Sequence, residues 1–343
     1  KDLRWETVTS FEAGLESDMF KSKLHLEANY YQRKTDDLLT TITDRTTGIL
    51  YAMNAGSIRV SGVELQATYN DKILNNELNY SISANISTMD NKVLSVWKAG
   101  ESYIGGSVGQ CRTEAGYPIS RFYGYEVAGI YQSKDQIKNS PDVSALGTPQ
   151  PGDLKFNDIS GPDGKPDGKI DSYDQTTIGN PTPKFTYGFS LNLNYKGFDL
   201  GIDFQGVYGN QIWRAWGNEG NGVNTYNFRE ARLGRWSGLN TSNWEPREST
   251  TTGWNSVNSS YFIEDGSYLR IRNIEFGYVV PKKIIQQLFI NNLHLFVSVQ
   301  NLKTWKHNSG FTPEAGGNAL SSGIDYGGYP IPSIYSAGFN LIF

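Results

Sequence analysis

The sequence predicts an all-β protein whose antiparallel strands wind up and down into a membrane-spanning barrel. Three observations carry this. Apolar and polar residues alternate with a period of two over segment after segment, so each segment has one face in an apolar medium and one in a polar medium. Several segments reach the roughly 9–11 residues that a tilted strand needs to cross a bilayer, where the usual strand has about five or six. Short and long connections alternate along the chain, as in barrels with one tight-turn rim and one elaborated rim.

In chain order the expected strands are 7–15, 22–34, 57–69, 76–88, 121–131, 184–195, 198–208, 268–280, 292–300 and 333–343. In the second, Leu24, Leu26, Ala28 and Tyr30 alternate with Lys23, His25, Glu27 and Asn29. The third changes phase near Gly62, where a bulge is expected. In the fourth, Leu78, Tyr80, Ile82, Ala84 and Ile86 alternate with Asn and Ser. The clearest case is Phe185, Tyr187, Phe189, Leu191, Leu193 and Tyr195, followed by Lys196-Gly197 and a return strand through Leu200, Ile202 and Phe204. So short a link between two long strands reads as a hairpin. Strand 268–280 changes phase near Asn273, where a second bulge is expected. The last two strands carry Leu293, Leu295, Val297 and Val299, then Tyr335, Ala337, Phe339, Leu341 and Phe343.

The short connections are 16–21, 70–75, 196–197 and 281–291; the long ones are 35–56, 89–183, 209–267 and 301–332. If 121–131 crossed the membrane, their alternation would fail. It is therefore placed in a folded outer excursion, leaving nine wall strands. The faces opposite the apolar ones carry Asn, Ser, Asp, Gln and Glu, which suits a wet lumen better than the apolar filling of a small soluble barrel. One apolar face, one polar face and long polar loops account for a hydrophobic content of 38% with 13% aromatics.

Composition excludes other classes. A net charge of −4 over 343 residues is the wrong sign for a nucleic-acid partner. One cysteine, Cys111, excludes an internal disulfide scaffold and multi-cysteine metal sites. No run of eighteen apolar residues occurs, so no transmembrane helix is expected. His25, His294 and His307 stand in no metal-ligand spacing, and no nucleophile elbow, phosphate loop or HExxH is present. No catalytic residue is assigned, and the protein is not read as an enzyme.

From Leu3-Arg4-Trp5-Glu6-Thr7 through the run Phe122 to Tyr131 and on to the closing Tyr335 to Phe343, several segments together resemble the C-terminal part of the SusC/RagA-type TonB-dependent outer-membrane transporters of the Bacteroidota. They include Leu3-Arg4-Trp5-Glu6-Thr7, Asn54-Ala55-Gly56-Ser57-Ile58-Arg59-Val60-Ser61-Gly62-Val63-Glu64, and the run from Phe122 to Tyr131. Pro151-Gly152-Asp153-Leu154-Lys155-Phe156, the run from Ile178 to Phe185, the run from Glu264 to Asn273, Asn301-Leu302 and the closing strand from Tyr335 to Phe343 follow in the family's order. The resemblance implies the last nine or ten strands of a 22-stranded barrel, without the N-terminal plug and TonB box. It further implies a SusD-like lipoprotein lid, a TonB complex acting through the N-terminal region, and outer-membrane lipid around the wall of a Gram-negative cell. The cargo would be a glycan, as in polysaccharide utilisation, or a peptide. The alternatives are an all-β carbohydrate-binding surface module and a plug-free porin.

Three groups of residues are candidate sites. The loop from Asp163 to Asp174 reads as a twelve-residue calcium loop, with Asp163 at position 1, Asp167 at 5, Gly168 at 6, Ile170 at 8 and Asp174 at 12. Lys165 breaks the pattern at position 3, and Asp158 and Ser160 stand upstream to compensate; the alternative is a polar turn without an ion. No other cofactor is called for. Segment 211–254 holds Trp213, Trp216, Tyr226, Trp236, Trp244 and Trp254 among Arg214, Arg229, Arg232 and Arg235. Of these, Trp213, Trp216, Arg232, Trp236 and Trp244 are candidates for contact with substrate or lid, against internal packing of a folded loop. Tyr335, Phe339 and Phe343 form the aromatic pattern of a terminal strand, which resembles an outer-membrane assembly signal.

Overall fold

The computed structural model describes residues 3–43, 50–54, 56–97, 100–216, 230–248, 253–285 and 289–343. Nine antiparallel strands form one meander: β1 (Thr7–Met19), β2 (Leu24–Asp36), β3 (Gly56–Ile73), β4 (Leu78–Thr88), β5 (Phe185–Tyr195), β6 (Phe198–Tyr208), β7 (Tyr268–Val279), β8 (Asn292–Lys306) and β9 (Ile334–Ile342). Each strand pairs with its chain neighbour, so the sheet is a segment of an up-and-down wall. The segment 121–131 lies off it: Arg121–Tyr125 and Val127–Ile130 belong to separate small sheets.

Register makes the two faces continuous. On one face Leu191 pairs with Ile82 and Ile202, and Leu193 with Tyr80 and Leu200. On the other Asn192 pairs with Ser81 and Gly201, and Ser190 with Ser83 and Asp203. Aromatic rings border the apolar face at both rims. Phe198 and Tyr278 lie 4.5 Å apart at the tight-turn rim, and Phe185 and Tyr208 4.9 Å apart at the other. Ten residues separate Phe185 from Tyr195. At about 3.3 Å per residue and a tilt of roughly 40° that spans about 25 Å, the height of a membrane barrel's apolar band.

Strand ends differ from expectation in a consistent way. β1 runs to Met19, not 15, because Glu16 and Asp18 lie on the polar face of a strand and not in a turn. β8 continues to Lys306 instead of stopping at 300. The bulge expected near Asn273 falls on Arg272: Asp203 pairs with Asn273 but Phe204 with Ile271. Asn301, at φ 52°, absorbs the same shift on β8, and its side-chain oxygen accepts from the Arg272 guanidinium at 2.9 Å.

The bulge expected at Gly62 is absent, since β2 and β3 pair without a shift from Leu24↔Tyr69 to Thr35↔Ile58. The phase changes because the surroundings of the strand change. Below Gly62 the odd residues Val63 and Leu65 are apolar and outward. Above it Ile58 and Val60 pair with the buried Val93 and Asn91 of strand Asp90–Val96, on the opposite face. Asn91 bonds to Ile119 and Thr182 of the 89–183 connection. Gly62 itself sits where a Cβ would overlap the Thr88 carbonyl and the Tyr31 ring.

The long connections fold together into an outer layer. Strands Tyr103–Gly105, Cys111–Thr113, Arg121–Tyr125 and Gln175–Gly179 make one small sheet; Gln211–Arg214, Ile263–Asp265 and Ile324–Asp325 make another. Their shared core includes Cys111, Phe122, Tyr125, Leu154, Phe156, Ile170, Trp213, Phe262 and Ile324. It thus draws on 89–183, 209–267 and 301–332 at once.

Candidate functional site

The polar face of the wall is organised by charge. On β4 and β5 it carries Asn79, Ser81, Ser83, Asn85 and Ser87 opposite Asn194, Asn192, Ser190, Gly188 and Thr186, with no charged side chain. On one flank lie Glu12, Glu16, Asp18, Glu27 and Glu64 of β1–β3; on the other, Asp199, Asp203 and Glu275 of β6 and β7. Hydroxyls tie the strip to its borders. Ser190 donates to Asp203 at 2.7 Å, and Thr68 and Ser83 share a hydrogen bond of 2.9 Å.

Two histidines sit on this face near the tight-turn rim. His25 contacts Asp18 at 3.1 Å and Glu27 at 3.0 Å. Among the described residues, Glu16, His25 and Glu27 alone bring three ligand-type atoms within 4.8 Å of one another. His294 contacts Asp199 at 2.8 Å. Their positions follow from strand parity, which the sequence shows; the partners of His25 lie in its own β1–β2 hairpin, whereas Asp199, the partner of His294, belongs to another hairpin and is visible only in register.

The outer layer separates the candidate aromatic residues. Trp213 is 3% exposed and packs against Phe122 and Phe262, so it is a core residue and not a contact with substrate or lid. Arg232, also 3% exposed, faces Glu245 and Glu248 and donates to the Pro246 carbonyl; it too is structural. Trp213 lies on strand Gln211–Arg214, where Ile212, Trp213 and Arg214 are all buried, and Arg232 lies on the 3-10 turn Glu230–Gly234 packed beside it in the outer layer. Trp236 is partly buried and donates its indole N–H to Gln132 at 2.9 Å. Trp216 donates to the buried Asp325 at 2.9 Å and is partly open. Trp244 is 50% exposed, with its ring against Tyr261, and is the candidate best placed to meet a ligand. Tyr226 and Arg229 lie outside the described residues. Tyr329, 96% exposed, Tyr326 and Phe311 were not among the expected contacts, although aromatics in a Gly/Pro-rich loop are a readable signal.

The connections are clamped by a buried carboxylate. Asp153 accepts from the Arg247 guanidinium at 2.8 Å, the Asn255 amide at 2.9 Å and the Gln150 N–H at 2.7 Å, which fixes 209–267 onto 89–183. Cys111 is fully buried, and burial pushes its thiol pKa up.

The acidic loop is arranged differently from the twelve-residue calcium pattern. Asp174 is 0% exposed and accepts backbone N–H bonds from Ile159 at 2.8 Å, Ser160 at 3.1 Å and Asp171 at 2.8 Å. It completes the capping box of a 3-10 turn whose N-cap is Asp171, instead of standing open at position 12. Ile170 is part of the outer-layer core, its N–H donated to Asp142. Asp163 and Asp167 are exposed and accept from the N–H two residues on. Asp158, upstream, takes the Gly168 N–H at 2.8 Å. No three carboxylates of this loop come within 4.8 Å of one another. On β9, Tyr335 and Phe339 share the apolar face with Val299 and Leu295, and Phe343 follows the strand, exposed.

A family model described as TonB dependent receptor-like, beta-barrel matches residues 1–302. The TonB-dependent receptor P3 of Formosa agariphila is 31% identical over an alignment covering 100% of this chain and 34% of that protein. The TonB-dependent receptor SusC of Bacteroides thetaiotaomicron is 24% identical, with 100% and 32% covered. Among solved structures, the RagAB peptide transporter superposes with a TM-score of 0.79 at 25% identity, covering 99% of this chain and 35% of that one. The chain thus spans about a third of the length of the relatives it matches.

Proposed function

The chain belongs to the TonB-dependent receptor β-barrel family and is a C-terminal portion of an outer-membrane barrel, and from that premise we propose that it is one side of an importer for large nutrients, oligosaccharides or oligopeptides. A SusD-like lipoprotein closes the outer mouth, and a TonB complex supplies force through the N-terminal region. The mechanism is gated passage and not bond chemistry.

One observation carries the reading: the polar inner face runs unbroken from the tight-turn rim to an outer layer folded from the long connections. Such a wall wets the lumen and offers weak, exchangeable hydrogen bonds, so a solute enters without being held. The outer layer presents Trp244, Tyr326 and Tyr329 at its surface, where a lid and its cargo would rest. The likeness to the RagAB peptide transporter supports a cargo of peptide size.

The test is made on the full-length protein in its host. Deletion of its gene should abolish uptake of one class of oligomer, with restoration by the intact gene, and the protein should partition into detergent. Recovery of the full-length protein in the aqueous phase without detergent would overturn the reading.

A further inference from the structure

We propose that Lys34, Arg59 and Lys92 form a binding site for the phosphorylated glycolipid of the outer leaflet, on the outward face of the wall at the height where the apolar band ends. The site holds the wall in its membrane and is independent of what passes through the lumen.

The three cations stand in one row. Lys34 of β2 pairs directly with Arg59 of β3, and Arg59 with Lys92 of strand Asp90–Val96. Register fixes their face. β2 and β3 pair without a shift from Leu24↔Tyr69 upward, so Lys34 and Arg59 point the same way as Tyr30 and Val63, towards lipid. Asn91 and Val93, on either side of Lys92, are buried on the other face. Like charges directly opposite one another destabilise a sheet, so such a row is best satisfied by an anion set between its members. Lys34 bonds to Asp36 at 2.9 Å, whereas Arg59 and Lys92 have no ion-pair partner among the described residues. Asp90, opposite Ser61, shares the outward face one rung below. With both carboxylates counted, the row keeps an excess of positive charge.

Height decides the ligand. Lys34 stands ten residues above Leu24, the first residue of β2. At about 3.3 Å per residue and a tilt of roughly 40° that is about 25 Å, the height of the apolar band. Between them the outward residues of β2 are Leu26, Ala28, Tyr30 and Gln32, none of them charged. The Phe11 and Tyr30 rings, 6.4 Å apart, mark the interface just below the row. Basic side chains at this height meet headgroups, and in the outer leaflet of a Gram-negative cell those are phosphorylated sugars. Lys and Arg bind phosphate through charge-assisted hydrogen bonds, Arg through two parallel N–H groups. Room for the sugar lies beside the row. A cavity of about 530 Å³ is lined by Ser61 and Asp90 of the rung below, together with Tyr30, Val63, Met89 and Lys184. Apolar side chains and a further cation around one cavity suit an amphiphile with a phosphate.

The test uses the full-length transporter, purified in mild detergent and stripped of lipid. Native mass spectrometry follows three probes: bis-phosphorylated lipid A, the same lipid with its phosphates removed, and inorganic phosphate. The phosphorylated lipid should bind, and the dephosphorylated one should fail to compete with it. The double variant Arg59→Gln, Lys92→Gln should weaken binding by about thirtyfold, the effect of two basic side chains at a headgroup surface. Arg33→Gln removes the same charge one residue from Lys34 but on the lumen face, where Arg33 meets Glu12 at 3.0 Å, and should leave binding unchanged. Should the double variant fail to assemble, as heat-modifiable gel mobility would show, Lys92→Glu alone at an exposed position should produce the loss. Equal binding of the two lipids, or full binding by the variant that assembles, would overturn the site. An equal loss in Arg33→Gln would overturn it too, by showing that net charge and not the row is read. Displacement of the lipid by millimolar inorganic phosphate would overturn the lipid assignment in favour of free phosphate. Unchanged lipid binding with loss of a co-purifying lipoprotein would make the row a protein contact instead.

Discussion

His294 and Asp199 are hydrogen-bonded at 2.8 Å although β7 runs between their strands. They meet over Gly277, which pairs directly with Asp199 and leaves that point of the inner face without a side chain. A Cβ at 277 would overlap both the carboxylate and the imidazole. Gly277→Ala should therefore part the pair and destabilise the barrel by about 1–3 kcal/mol, the usual range for overpacking. Heat-modifiable gel mobility of the full-length protein in detergent reads this directly. Adding Asp199→Ala should recover part of the loss, because it empties the space the new methyl needs; a double variant less stable than the sum of the two singles would refute this account.

Trp213 and Trp244 stand in the same segment and predict opposite phenotypes. Trp213 fills the outer-layer core beside Phe122 and Phe262, so Trp213→Ala should cost about 3–5 kcal/mol of local stability. It should open the 209–267 connection to protease. Trp244 is half exposed, so Trp244→Ala should leave protease resistance unchanged and weaken binding to the lid or cargo. Equal protease sensitivity of the two variants would put Trp244 in the core after all.

The wall was legible in the sequence and the outer layer was not, and the reason is the range of the interactions. A two-residue period is a local signal, so the faces of β4, β5 and β6 follow from Leu78–Ile86, Phe185–Tyr195 and Leu200–Phe204 read alone. Alternating connection lengths also placed 121–131 off the wall. Apolar phase, however, marks what a strand touches as well as how it is bent. At Asn273 the phase change does mark an extra residue, Arg272. At Gly62 it marks a change of neighbour, from lipid to the 89–183 connection. The burial of Trp213 and Arg232 depends on Phe122, Phe262, Glu245 and Glu248. Most of these partners come from other turns of the chain, and no spacing rule connects them. The charge-free strip of β4 and β5 was spelled out residue by residue, but the carboxylates beside it emerge only when register lines up strands from four hairpins.

Alkaline pH should loosen the outer layer before the wall. Burial pushes the Cys111 thiol and the Tyr125 and Tyr131 phenols above their ordinary values. A nearby Ser120 hydrogen bond only partly offsets this for Cys111. Between the ordinary and the raised value the folded chain keeps a proton that the unfolded chain releases. The stability these groups contribute is thus complete below about pH 9, the ordinary thiol value, and is lost as pH rises beyond it. Protease resistance of the outer layer should fall from pH 8 to pH 10.5 while the barrel keeps its heat-modifiable mobility. A maleimide should label Cys111 only after denaturant is added; labelling of the native protein at neutral pH would contradict its burial.

Asp174 is the residue on which the calcium and ion-free readings of the acidic loop diverge most sharply. A position-12 ligand would be needed only when the ion is bound, whereas a carboxylate accepting from Ile159, Ser160 and Asp171 holds the loop by itself. Asp174→Asn keeps the shape but replaces one accepting oxygen with an NH2 group that only donates. It should cost about 2–3 kcal/mol, the scale of charge-assisted hydrogen bonds to buried N–H groups. That cost should be the same in chelator and in millimolar calcium. Asp163→Asn and Asp167→Asn change exposed carboxylates and should shift stability by less than about 0.5 kcal/mol. The measurement is thermal unfolding of the full-length protein and its three variants with and without calcium. A calcium-dependent rise in the wild type that Asp174→Asn removes would show that Asp174 gives up its N–H partners to the ion, and the twelve-residue loop would then be restored as a metal site.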